Sequence, residues 1–258
     1  ILRSTDNGTT WDNVTSPTAN TLWDVVFGNN TFVAVGYYGN ILRSTDNGTT
    51  WDNVTSPTAN HLRGVGFGNN TFVVVGASGN ILRSTDNGSS FDNVTSPTEE
   101  RLFAVTFANN TFVGVGQSGN IVRSTDNGTT WDDATSPTAQ VLVGIRLGNN
   151  TFVAAGNSGN IVRSTDNGST WDNATSPTAN TLRWVGFGNN TFVAVGWSGN
   201  IVRSTDNGSS FDNVTSPTAN NLWGVTFANN TFVAVGWSGN ILRSTDNGTT
   251  WDNVTSPT

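Results

Sequence analysis

The sequence predicts an all-β protein, a β-propeller of four-stranded antiparallel blades, and three observations predict it. The 258 residues repeat with a period of 40, giving six full units and a tail of 18. Each unit holds four short apolar runs separated by turn residues. No stretch carries a helical apolar period. Four strands in each 40-residue unit suit stacked blades better than the shorter coils of a β-solenoid.

The elements of a unit follow in order. Strand A is expected over residues 22–27, with a bulge near 23–24 so that Leu22, Val25 and Phe27 share the core. Residues 28–30, Gly-Asn-Asn, form a turn. Strand B, "TFVAVG" over 31–36, is apolar on both faces and so buried on both. A turn at 37–40 leads into strand C over 41–45. "DNG" at 46–48 is a hairpin signal, because glycine accepts positive φ. Strand D, 49–55, stops before Pro57, and all seven prolines occupy this place.

Strands A and B occur six times, C and D seven times. The count favours one domain over 1–258, with an N-terminal C–D hairpin at 1–18 and six blades over 19–258. The alternative is seven blades with one incomplete. Residues 241–258 repeat 1–18 letter for letter, so either hairpin could complete the sixth blade. The spare one is a candidate for self-association.

The motif "STDNGTTW" at 4–11 resembles the Asp-box, or BNR repeat. Asp-boxes occur in sialidase-like, sortilin-like and photosystem II assembly factor propellers. There they form the hairpin between the third and fourth strands, so the resemblance implies a propeller fold and leaves activity open. The seven copies place Asp6, Gly8 and Trp11; Asp46 and Trp51; Asp86 and Phe91; Asp126 and Trp131 in the box. Asp166 and Trp171, Asp206 and Phe211, and Asp246 and Trp251 complete the set. Each Asp is expected to accept backbone N–H groups of its own turn. Each ring is expected to bury between sheets, worth about 1.5–3 kcal/mol. The hairpin register sets Arg3 opposite Asp12, predicting a cross-strand ion pair per blade of roughly 0.2–1 kcal/mol.

Against this constant body, a few positions change sharply. Trp23, Arg63, Phe103, Arg183 and Trp223 share one repeat position. Asp24 and Trp184 share the next, and Arg146 lies two further on. His61 and Arg101 precede strand A, and Tyr37, Trp197 and Trp237 open the B–C turn, where Tyr38 is unique. Five of the ten Trp and both Tyr are variable. Aromatic residues and Arg dominate binding hot spots, so these positions are expected to form a ligand-binding rim and channel mouth on one face.

Composition narrows the function. The net charge of −7 disfavours nucleic acid and anionic membrane as partners. The variable positions carry a net +1 and the repeated body −8. No run is long enough to span a membrane as a helix, and no signal peptide is evident. The lack of Met predicts a trimmed or processed chain. The lack of Cys removes disulfides and thiol chemistry. A single His and no Cys argue against a zinc site, so no metal or cofactor is expected. Glu99–Glu100 reads as a solvated pair rather than a glycosidase dyad. A sialidase's arginine triad and Tyr–Glu nucleophile are not recognisable.

The expected function is therefore non-catalytic recognition of a glycan or a protein. The alternative is a structural or engineered scaffold, recently amplified, with no evolved ligand. A glycan-acting hydrolase is a weak third. Compartment is not legible.

Overall fold

The computed structural model describes residues 1–6 and 10–254. The box residue Gly8 and Pro257 lie outside them.

Each repeat folds as an up-and-down sheet. The first full sheet is β3 (Leu22–Gly28), β4 (Thr31–Gly36), β5 (Ile41–Ser44) and β6 (Asp52–Val54), paired in that order. It is preceded by a two-stranded sheet of β1 (Leu2–Arg3) and β2 (Asp12–Asn13). The second is β7 (Leu62–Gly68), β8 (Thr71–Gly76), β9 (Ile81–Ser84) and β10 (Asp92–Val94). The third is β11 (Leu102–Ala108), β12 (Thr111–Gly116), β13 (Ile121–Ser124) and β14 (Asp132–Ala134). The fourth is β15 (Leu142–Gly148), β16 (Thr151–Gly156), β17 (Ile161–Ser164) and β18 (Asp172–Asn173). The fifth is β19 (Leu182–Gly188), β20 (Thr191–Gly196), β21 (Ile201–Ser204) and β22 (Asp212–Val214). The sixth is β23 (Leu222–Ala228), β24 (Thr231–Gly236), β25 (Ile241–Ser244) and β26 (Asp252–Val254). Among the described residues, six full blades and one smaller sheet result, and the sixth blade is completed by its own C-terminal hairpin.

Local chemistry explains the turns. Asn29 and Asn30 both take positive φ, 51° and 57°, the geometry that matches strand twist in a two-residue hairpin. Gly28 cannot carry a Cβ, which would lie 2.1 Å from the Phe67 ring. The D–A links are chains of hydroxyl turns: Thr58 N–H donates to Ser56 Oγ, and Asn60 N–H to Thr58 Oγ1. The register shifts between Leu22 and Asp24, the expected bulge, and the same shift recurs between Leu62 and Gly64.

The chain divides into two compact units: Ile1–Phe112 with Ser124–Asp132, and Val113–Arg123 with Asp133–Thr258. In the first, Val33, Val35 and Ile41 of one blade pack on Leu62, Val65, Phe72, Val74, Leu82 and Phe91 of the next. In the second, Val193, Val195 and Ile201 pack on Leu222, Val225, Phe232 and Trp251 in the same way. The Asp-box rings Phe91, Trp131, Trp171, Phe211 and Trp251 are buried as expected. Trp11 is not: it is 53% exposed, because no inner strands accompany its hairpin.

The box carboxylates work as expected and do more. Asp46 accepts Thr50 N–H and the hydroxyls of Ser44 and Thr50. The Thr50 hydroxyl and N–H hold its pKa at about 2, against an ordinary 3.8. The expected Arg–Asp ion pair does not form at Arg43 and Asp52, although the two are in register. Arg43 instead donates Nε–H to the carbonyl of Asn87 in the next blade's turn.

Candidate recognition surface

In the first unit the variable side chains gather into one aromatic and cationic group. Trp23 meets Tyr37 edge-on, ring centroids 5.4 Å apart. Tyr37 lies 4.5 Å from the His61 ring, and Tyr38 lies 5.0 Å from it. The Tyr38 N–H donates to His61 Nδ1 at 3.1 Å, which leaves the imidazole proton on Nε2. The Arg63 guanidinium sits 4.3 Å above Trp23 and 5.8 Å from Tyr37. Arg101 stands 5.8 Å from the Phe103 ring.

This group is short of negative charge. Arg63 Nε and Arg101 Nε are both shielded from solvent with no hydrogen-bond acceptor. Burial, and then the charge of Arg101, pull the Arg63 pKa below its ordinary value. Trp23 is 42% exposed and Tyr38 65%, so the group opens to solvent. Beside it a shallow cleft of about 410 Å³ runs between Tyr38 and the link at Ser56–Ala59.

Asp24 points elsewhere. Its carboxylate accepts Val25 N–H at 2.9 Å and Val65 N–H at 3.0 Å, tying β3 to β7. Desolvation outweighs those bonds and raises its pKa to about 6. The repeat position it occupies faces the neighbouring strand: a Cβ on Gly64 would lie 2.9 Å from Ala104 Cα.

The second unit holds a smaller group. Trp223 and Trp237 lie 6.1 Å apart, and the Arg183 guanidinium sits 4.9 Å from Trp223. Trp197 is 45% exposed and Trp237 60%. Asn221 Oδ1 accepts Ser198 N–H at 2.9 Å, repeating the bond of His61 to Tyr38. Trp184 packs against the core that includes Val193 and Leu222 instead of joining the exposed rings. Arg146 is exposed on β15, and no ring contact or side-chain hydrogen bond joins it to this group among the described residues. Glu99 is exposed and Glu100 half-buried. Among the described residues no three His, Cys, Asp or Glu side chains converge as a metal site.

The model of the family "Photosynthesis system II assembly factor YCF48" matches residues 3–257. The chain belongs to this family. No curated protein matches it. Among solved structures, YCF48 bound to D1 peptide is 21% identical, with 92% of this chain and 81% of that one covered and a TM-score of 0.75. YCF48 from Cyanidioschyzon merolae is 20% identical, with 95% and 88% covered and a TM-score of 0.75. A catalytically inactive virginiamycin B lyase from Staphylococcus aureus is 19% identical, with 91% and 83% covered and a TM-score of 0.79. At these identities the likeness carries the fold. The family match agrees with the Asp-box reading, which included photosystem II assembly factor propellers.

Two features of this YCF48-family chain escape sequence reading. Asn221 caps a turn, signalled only by its sharing the repeat position of His61. A cleft of about 710 Å³ lies beside Leu2, Trp11, Leu22 and Trp51, signalled by the missing seventh copy of strands A and B.

Proposed function

We propose that this YCF48-family chain is a non-catalytic recognition module for a protein partner, taken as an extended segment bearing carboxylates and apolar or aromatic side chains. The observation that carries the reading is Arg63, stacked on Trp23 beside Tyr37 and Arg101, with no acceptor for its Nε. A cation held by rings rather than by a carboxylate is preorganised for an incoming anion. Trp23, Tyr37, Tyr38 and His61 supply flat apolar faces around it, the composition of a binding hot spot. Phe103 backs Arg101. Trp197, Trp223, Trp237 and Arg183 form a second, weaker contact region, with Arg146 as a peripheral charge. Trp184 and Asp24 support the strands beneath. A solved YCF48 that is bound to a peptide supports a peptide as the ligand class.

A peptide array, followed by calorimetry on the best binder and on glycans, tests this. Acidic peptides are expected to bind, and a Trp23→Ala/Arg63→Ala variant is expected to lose tenfold or more in affinity, about 1.4 kcal/mol. Unchanged peptide affinity in that variant, or binding of glycans alone, overturns the reading. A second reading, a scaffold without an evolved ligand, is favoured by one observation: residues 1–18 and 241–258 are identical, as recent duplication would leave them. It predicts that no probe binds.

A further inference from the structure

Strand β1 holds the place of a blade's third strand. Its Arg3 donates Nε–H to the Asn47 carbonyl at 2.7 Å, the bond that Arg43 makes to Asn87 between full blades. Yet β1 pairs only with β2, and the position that β4 takes beside β5 holds no strand among the described residues. What remains is an apolar cleft of about 710 Å³, lined by Leu2, Trp11, Leu22, Val25, Phe32 and Trp51.

The molecule itself shows what fits there. One blade on, the same face is covered by Val33 and Val35 of strand β4, and Val65 is 4% exposed. Uncovered, Val25 is 53% exposed and Phe27 51%. The complementary surface is also present in the chain. On β24, Val235 is 48% exposed, whereas its counterparts Val35, Val75, Val115 and Val195 are all at 0%.

We propose that this face is an interface between two copies of the chain, formed by strand exchange. Strands β23 and β24 of a second copy enter the cleft, and β24 pairs with β1. The register of β4 on β5 sets Val235 of the second copy opposite Ile1, and Val233 opposite Arg3. The exchange conserves the ladder, because the β25–β26 hairpin that β24 gives up lies in a segment identical to the 1–18 segment it gains. The driving force is the apolar surface of Val25, Phe27 and Val235 leaving water. The contact continues the blade-on-blade interface already repeated along the chain. It is heterologous, one cleft and one strand pair per copy, so copies add head to tail.

The chain has no Cys, which makes the test direct. Ile1→Cys and Val235→Cys proteins are mixed and oxidised. The expected product has twice the chain mass and carries a link between positions 1 and 235. Light scattering of the unmodified protein is expected to show mass rising with concentration. A Val25→Asp variant, with the charge placed at an exposed site, is expected to shift that rise tenfold or more to higher concentration. Three results overturn the proposal: no mixed product, a mass of one chain throughout, or a chain carrying both cysteines that closes only on itself. The last would give the cleft to the same chain's own β24.

Discussion

Arg43 donates its Nε–H to the carbonyl of Asn87, 44 residues further on, at 2.8 Å. The same bond joins Arg83 to Asn127, Arg123 to Asn167, and Arg203 to Asn247. One period plus four residues is thus the spacing of the latch that these third strands make to the next blade's Asp-box turn. Arg83→Met removes the latch and strands a carbonyl. Stability to urea is expected to fall by about 1.5–3 kcal/mol, the range for a hydrogen bond involving a charged group. A change below a few tenths would show that blade contacts do not depend on it.

Trp23 holds Arg63, and removing the ring in steps should show in ligand affinity. In Trp23→Phe the stacking surface shrinks but persists, while in Trp23→Ala it is gone. Affinity for an acidic peptide is expected to fall in that order, with the larger loss at low ionic strength. Equal affinity in both variants would separate Trp23 from recognition.

Asp24 makes stability depend on pH in an unusual direction. Its folded pKa, about 6, lies above its ordinary 3.8, so the folded chain binds the proton more tightly. Its contribution is greatest below pH 4 and is lost as pH rises through 6. The shift corresponds to on the order of 2–3 kcal/mol. Asp24→Gly, the residue most other repeats carry here, is expected to flatten the stability profile between pH 4 and 7. Denaturant melts at three pH values decide it, and parallel profiles for the two proteins would refute it.

The Asp-boxes act in the opposite sense. Asp46 and Asp246 are held at about 2, chiefly by the Thr50 and Thr250 hydroxyls. In Asp86, Asp126, Asp166 and Asp206 partial burial is the largest single influence and opposes the shift, yet the hydrogen bonds together still bring them to about 2. Folded pKa values below the ordinary 3.8 mean stability that is present above pH 4 and lost as pH falls towards 2. Acid unfolding followed by circular dichroism is expected to be steep in that window. Thr170→Val, which removes the hydroxyl that Asp166 accepts, should move its midpoint upwards.

Trp11 and Trp131 occupy the same repeat position but differ in burial, 53% against 7% exposed. Trp131→Ala is expected to cost about 3–5 kcal/mol, as deletion of a core aromatic does. Trp11→Ala should cost less than about 1 kcal/mol at a concentration where the chain is a single copy. Thermal melts of the two variants compare them directly.

Local order was legible in the residues alone. The 40-residue period, the alternating apolar runs and the Asn, Gly and Pro punctuation determined four strands per repeat, the bulge after Leu22, the Asx-type turn at Asp46 and the burial of Trp131. These depend on backbone preference and period, which nearby residues encode. Only the tertiary structure decided what crosses from one sheet to the next. It sent Arg43 to Asn87 rather than to Asp52, turned Asp24 onto Val65 N–H, packed Trp184 half-buried against a core and left Trp11 exposed. It also brought Arg63 over Trp23, 40 residues away. The reason is physical: an identical motif meets a different neighbour in each blade, and burial and partner choice belong to the neighbour as much as to the motif.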